Sequence, residues 1–247
     1  RDESVRWVAV WGELCPGVDQ GDRAAEWLST FLEQSGLRLV RFPPGRHRPS
    51  DPKYARGFEA GSYSDGFPIL VASEESLADL NLRIQQGAKA SGRVALPMNR
   101  FRPNLVLAGG GAPFLEDQWG QLLVGPCSSK KSGSGNAGAW SISRKGGKLA
   151  LRLVKPCSRC KIPTTDQATG VAEEAPGGGG DPEPTRTLKT FRTGAKLRLP
   201  NPKWAEEVFF GQNAVPVIKG TFSQKAQLRV GDKVEVAAKK PWVNWAF

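Results

Sequence analysis

The chain has 247 residues, 39% of them hydrophobic and 24% charged, enough for one large domain or two small ones around a real core. Thirty-five Lys and Arg against 24 Asp and Glu leave a net charge of +11, which favours an anionic partner: nucleic acid, a membrane surface or a phosphorylated small molecule. The longest apolar runs, such as "NLVLAGGGAPFL", fall far short of the ~20 residues that span a bilayer. Four cysteines (Cys15, Cys127, Cys157, Cys160) do not make a disulfide scaffold, so reduced thiols in an intracellular compartment are expected. The first residue is Arg1 rather than Met and no signal-peptide pattern opens the chain, so a fragment or processed form is expected.

"VRWVAVW" (5–11) alternates as a strand does. "GDRAAEWLSTFLEQSG" predicts a helix with Asp22 as N-cap, Gly36 past its end, and one apolar face of Ala24, Trp27, Leu28, Phe31 and Leu32. "LRLVRF" returns as a strand and a Pro-rich basic loop follows. "FPILVAS" predicts a strand leading to Ser73, a cap for the helix "EESLADLNLRIQQG", whose Leu77, Leu80 and Ile84 fall at core spacing. "NLVLAG", "GQLLVG", "KLALRLV" and "VFFGQNAVPVI" predict further strands, and "RVGDKVEVA" a strand pair turning at Gly231 and Asp232. Residues 127–147 and 171–184 ("VAEEAPGGGGDPEP") are low in complexity and read as flexible surface insertions. Many short strands with two or three helices predict a β-rich α+β fold with a barrel-like core. Of the eight tryptophans, Trp27 and Trp119 are expected in the core, and Trp242 and Trp245 in "PWVNWAF" have no assignment.

The chemically pointed stretch is "VKPCSRCKIPTTDQATG". One Cys-x-x-Cys pair with a single histidine, His47, is too few ligands for a structural zinc. Pro163 and β-branched residues after Cys160 disfavour the helix on which a thioredoxin-like dithiol depends. A lone thiolate favoured by Lys155, Arg159 and Lys161 and suited to a soft or high-valent metal, or simply two buried cysteines at a strand end, remain open on the residues alone.

Six ordered segments go further. "YSDGFPILVASEESLADLN", "MNRFRPNLVLAGGGAPFLEDQW", "VKPCSRCKIPTTDQATG", "EPTRTLKTFR", "FGQNAVP" and "VGDKVEV", running from about Trp11 to Val236, resemble the MOSC domain family, in particular the mitochondrial amidoxime-reducing components, with wording closest to plant or algal members. The resemblance implies a MOSC domain at 44–238 carrying both insertions, a tail at 239–247, and at 1–43 the remnant of an N-terminal β domain that is mostly missing. It implies the molybdenum–pterin cofactor (Moco), with Cys160 as metal ligand and Cys157 as its neighbour. Arg102 falls on a position that contacts the cofactor phosphate, and Asn104 on a pterin-side or backbone-orienting one. Arg100 is divided evenly between a solvated surface and a phosphate role. Asp65 matches an acidic residue near the metal that orients substrate or passes a proton. Family members carry hydroxyl residues after it, whereas Gly66 and Phe67 follow here, so a phosphate contact at Gly66 would come from backbone N–H. Ser158 and Arg159 lie inside the ligand loop, and "FGQN" (Phe210 to Asn213) is expected to support that loop by packing.

The activity implied is reduction of N-hydroxylated compounds such as amidoximes and hydroxylamines, with nitrite as a family-level possibility that would join the protein to nitrate and nitrite metabolism. Electrons would come from cytochrome b5 and its reductase, the location would be intracellular and mitochondrial, and membrane association would require the missing N-terminus. The alternative is a Moco sulfurase-type MOSC module that binds cofactor and handles sulfur beside an absent pyridoxal phosphate-dependent domain. A nucleic-acid module has only the net charge in its favour.

Overall fold

The computed structural model describes residues 4–55, 59–60, 62–87, 95–126, 148–175, 179–217 and 227–240. The stretch 127–147 and the terminal "PWVNWAF" therefore lie outside the described residues. The chain divides into two compact units, Arg1–Pro68 and Ile69–Phe247.

In the N-terminal unit β1 (Val5–Val10) and β2 (Glu13–Asp19) form an antiparallel hairpin, with Trp7 opposite Pro16 and Val8 opposite Cys15. β3 (Val40–Arg41) pairs with β2 on its other side. Between them runs α1 (Asp22–Phe31), followed by β4 (Arg48–Pro49), α2 (Pro52–Ala55) and β5 (Glu59–Ala60), with β4 and β5 paired. Asp19 anchors the unit: Arg38 reaches it through two hydrogen bonds of 2.8 and 2.9 Å, and Arg6 reaches it as well. The Arg38 guanidinium, with help from the Gly21 N–H and Arg6, holds the Asp19 carboxyl well below the usual carboxylate range.

Helix α1 departs from expectation in two ways. It starts at Asp22 with Gly21 as the capping residue, and Asp22 is drawn aside to Arg38 at 2.6 Å. Its apolar stripe is not core. Trp27, Phe31 and Leu32 are exposed, Trp27 and Phe31 stack on each other at 5.1 Å, and Ala25 is the buried residue. Helical spacing identifies which residues share a face, but whether anything packs on that face is decided elsewhere in the structure.

The C-terminal unit is built on a curled six-stranded sheet. Its strands are β6 (Ile69–Ser73), β7 (Leu105–Leu107), β8 (Trp119–Gly125), β9 (Leu149–Ser158), β10 (Phe209–Pro216) and β11 (Lys233–Lys239), in the order β11-β8-β9-β10-β6-β7. Every neighbouring pair is antiparallel except β6 and β7, which are parallel and joined through α3 (Glu74–Gly87), as a parallel pair requires a crossover. Ser73 caps α3, its hydroxyl accepting from the Ser76 N–H at 3.2 Å. The second half adds α4 (Thr185–Phe191). Among the described residues no hairpin turns at Gly231: the chain enters one strand, β11, which pairs with β8 instead. The molecule thus has the β-rich α+β architecture expected from the sequence.

Two apolar clusters fill the sheet's faces. Val71, Leu107, Trp119, Leu122, Val124, Leu151, Leu153 and Ala214 form one. Ala72, Leu80, Ile84, Leu96, Phe101, Leu188, Val208 and Phe210 form the other, under α3 and α4. Of the insertion expected at 171–184, residues 176–178 lie outside the described residues, and the described ends are built in: Ala172 bridges to Thr165, Glu173 pairs with Arg100, and Glu183 is 1% exposed and accepts from the Thr187 N–H of α4.

Candidate functional site

The predicted site residues divide between the two units. Asp65 and Gly66 belong to the N-terminal one, where Asp65 is exposed and accepts a hydrogen bond from the Trp11 indole at 3.3 Å. The adjacent backbone is held by Arg48, which is buried and donates to the carbonyls of Ser64 and Asp65. Gly66 is exposed, and a Cβ there would meet nothing within 4 Å.

Cys157, Ser158, Arg159, Cys160, Arg102 and Asn104 all belong to the C-terminal unit. β9 ends at Ser158, which lies opposite Phe209 of β10, and the loop carrying Arg159 and Cys160 leaves the sheet there. Two residues beyond Cys160 the chain closes into a 3-10 turn, Ile162–Thr164, whose Pro163 ends any extended run. That turn contacts a second one, Met98–Phe101, which stands immediately before Arg102. Two exposed side chains, Cys160 and Arg102, therefore flank one pair of packed turns. Neither the Cys160 sulfur nor the Arg102 guanidinium has a hydrogen-bond or ion-pair partner among the described residues. Arg102 is also left-handed (φ 54°, ψ 44°), a conformation that non-glycine residues adopt at a cost.

Asn104 faces the scaffold. Its side-chain oxygen accepts from the Leu70 N–H at 2.8 Å, and its own N–H donates to the Leu70 carbonyl at 2.9 Å, pinning the start of β7 to β6. Cys157 is half-buried, and its sulfur accepts from Arg159 Nη1 at 3.2 Å. Ser158 is exposed on the loop. Gln212 and Phe210 of "FGQN" are fully buried, and Phe210 stacks on Phe101 at 3.9 Å, so this segment packs beneath the turn that carries Arg102.

Arg100 is not the solvated surface residue that was one of the two expectations for it. It is 5% exposed and its Nη2 bonds to Asp166 at 3.2 Å and to Glu173 at 2.9 Å, which ties the "TTDQATG" loop after Cys160 to the Met98–Phe101 turn. Asp166 in turn accepts from the N–H groups of Ala168 and Thr169; these, Thr169 first, hold its carboxyl below the usual range. The sequence carries no signal of this anchor, because its partners lie 66 and 73 residues away. A cavity of about 360 Å³ beside Arg100 is lined by Ile84, Leu96, Glu173, Glu174 and Glu183 among others, and by none of the predicted site residues.

Among the described residues no group of three or more His, Cys, Asp or Glu is placed to hold a metal by itself. The donor set fits a group that brings most of its own ligands: one accessible soft sulfur, and one guanidinium that is unengaged among the described residues and suits a phosphate.

The MOSC domain family model matches residues 59–235. The chain is 33% identical to the human mitochondrial amidoxime-reducing component 1 over 237 residues, 94% of this chain and 56% of the relative. It is 31% identical to the mouse component 1 over 230 residues, 91% of this chain and 54% of the relative. To the bovine component 2 it is 33% identical over 187 residues, 74% of this chain and 44% of the relative. It thus spans about half the length of these relatives. With the family model covering most of its length, the chain belongs to the MOSC domain family and is similar to the amidoxime-reducing components.

Proposed function

We propose that this protein is a molybdenum-cofactor-dependent reductase of N-hydroxylated compounds, with Cys160 as the protein's ligand to the metal. One observation carries the reading: within a MOSC domain, an exposed thiol stands beside the turn that presents an exposed arginine, and neither side chain has a partner among the described residues. The matching relatives are named for amidoxime reduction, which suggests the substrate class.

When bound, the cofactor supplies the redox chemistry at molybdenum. The chain's own residues hold and orient. The Cys160 sulfur is a soft ligand on a loop fixed at both ends, by β9 and by the Ile162–Thr164 turn. The Arg102 guanidinium offers two parallel N–H groups to a phosphate, a geometry that lysine lacks. The Ser158 hydroxyl and the Gly66 N–H are further donors in the proposal, and Asn104 keeps β6 and β7 in register behind the Arg102 turn. Asp65, exposed in its own unit, is proposed to pass a proton to the departing oxygen of the substrate. Cytochrome b5 with its reductase is the proposed electron donor, and the relatives' names suggest a mitochondrial location. Among the described residues no helix is long and apolar enough to cross a membrane.

The test is to express the chain in a host that makes the cofactor and to measure molybdenum and pterin per protein beside Cys160→Ala. Near-stoichiometric metal that falls at least tenfold in the variant, with pterin partly kept, supports a thiolate ligand separate from a phosphate clamp. Amidoxime reduction with cytochrome b5 and its reductase should then be lost in the variant. Absence of both metal and pterin, in this chain and in a longer form of the protein made the same way, would sink the proposal.

A further inference from the structure

Arg159 sits between Ser158 and Cys160, but its side chain turns into the protein. Its N–H donates to the Val208 carbonyl at 2.8 Å, fixing the loop to the strand-end of β10. Nη2 donates to the Phe101 carbonyl at 2.8 Å, and Nη1 donates to the Cys157 sulfur at 3.2 Å. The guanidinium carbon lies 5.6 Å from the centre of the Phe101 ring, which is itself fully buried and stacked on Phe210. The Phe101 carbonyl belongs to the peptide that leads into Arg102, the residue held left-handed. A charge-assisted hydrogen bond to that carbonyl fixes the plane of the peptide and offsets the cost of the unusual backbone.

We propose that Arg159 is a positioning residue: it locks the peptide before Arg102 to the loop before Cys160, so that thiol and phosphate-binding guanidinium are held at one fixed separation. Cys157 has a share in this, because its sulfur engages one arm of the guanidinium while the other arm takes the carbonyl. Two acceptors in different directions suit the planar fork of arginine and not the single ammonium of lysine. The assignment replaces a direct cofactor contact by the Arg159 side chain, and it rests on the reading of Cys160 and Arg102 as the cofactor's holders.

The experiment uses the full chain with Arg159→Gln, Arg159→Lys and Cys157→Ala, each made with and without cofactor supply. In cofactor-free protein, amide hydrogen exchange over residues 98–104 is the readout that no cofactor contact would move. Expected in both Arg159 variants is at least tenfold faster exchange there, with exchange in α3 unchanged, and about threefold faster exchange in Cys157→Ala. In cofactor-supplied protein, pterin per protein should fall at least tenfold in both Arg159 variants while the Cys160 thiol is still present. Unchanged exchange over 98–104 in Arg159→Gln and Arg159→Lys overturns the inference, and together with lost pterin it assigns the side chain to direct contact. Should Arg159→Gln fail to fold, Arg159→Lys and Cys157→Ala decide by the same readout. Wild-type protein without pterin in any preparation defeats the proposed function, while the exchange data still judge the lock.

Discussion

A methyl group at Gly211 would stand 2.8 Å from the Val71 carbonyl oxygen on the neighbouring strand, and the residue's φ is +76°. Both facts follow from the irregular register between Phe209 and Gln212, where β10 bulges against β9. Gly211→Ala is therefore expected to cost about 2–4 kcal/mol, from left-handed strain and overpacking together. Urea unfolding measures it, and a loss below about 0.5 kcal/mol would show that the bulge relaxes. The sequence marks "FGQN" as a packing element, and Phe210 and Gln212 are indeed fully buried. What it does not mark is the bulge, because the need for glycine arises from a carbonyl some 140 residues earlier in the chain, on β6.

At the scale of elements, the sheet's edge is joined to its centre by a buried polar network. Lys240, just past β11, donates to Gln212 at 2.8 Å, and Gln212 donates to Asp117 at 2.6 Å. Arg192, after α4, reaches the same Asp117 at 2.5 and 3.1 Å and also donates to the Phe209 carbonyl. Burial brings the Lys240 ammonium down from 10.5 to about 8, against a smaller opposing pull from Asp117. A lysine whose folded pKa is depressed contributes stability that is present above its unfolded pKa and is lost as pH falls through the folded one. Between pH 8 and 10.5, then, this group makes the protein more stable as pH rises. Lys240→Met should flatten that rise by up to about 1.4 kcal/mol per pH unit, read from denaturant midpoints across the window. An equal slope in both proteins would place the ammonium in solvent. The strands and α3 are legible from period and capping, since Ser73, Leu80 and Ile84 play the parts their spacing gives them. The hairpin expected at Gly231 is not found among the described residues, because β11 gains a long antiparallel partner in β8 that no local turn signal announces.

Across the whole molecule the charge is unevenly shared. Residues 1–68 hold nine basic and ten acidic side chains, and residues 69–247 hold 26 and 14, so the basic excess belongs to the unit that carries Cys160 and Arg102. The anionic cofactor of the proposed function would meet the right sign of field there. Burial is uneven too. In the N-terminal unit Val5, Trp7, Trp11, Leu14, Trp27 and Phe31 are exposed, whereas the strands β9 and β10 are lined with fully buried residues such as Leu151, Phe209, Phe210 and Ala214. Native-state hydrogen exchange should therefore show β9 and β10 amides opening only with global unfolding, and β1 amides opening at least a hundredfold more readily. Equal protection in the two units would mean that the N-terminal apolar surface is covered in solution.

By itself the sequence determined the β-rich α+β class, the strands of the main sheet and the ordered motifs of the family, since alternation, capping and turn chemistry act over a few residues. It also singled out Cys160 and Arg102, through motif words and not through spacing, which left the cysteine pair open. Only the tertiary structure decided that Arg100 is a buried anchor, that the Arg159 side chain turns inward and that the apolar stripe of α1 is exposed. Each of those outcomes depends on partners many tens of residues away or on a packing surface, and contacts of that range leave no periodic trace in one chain.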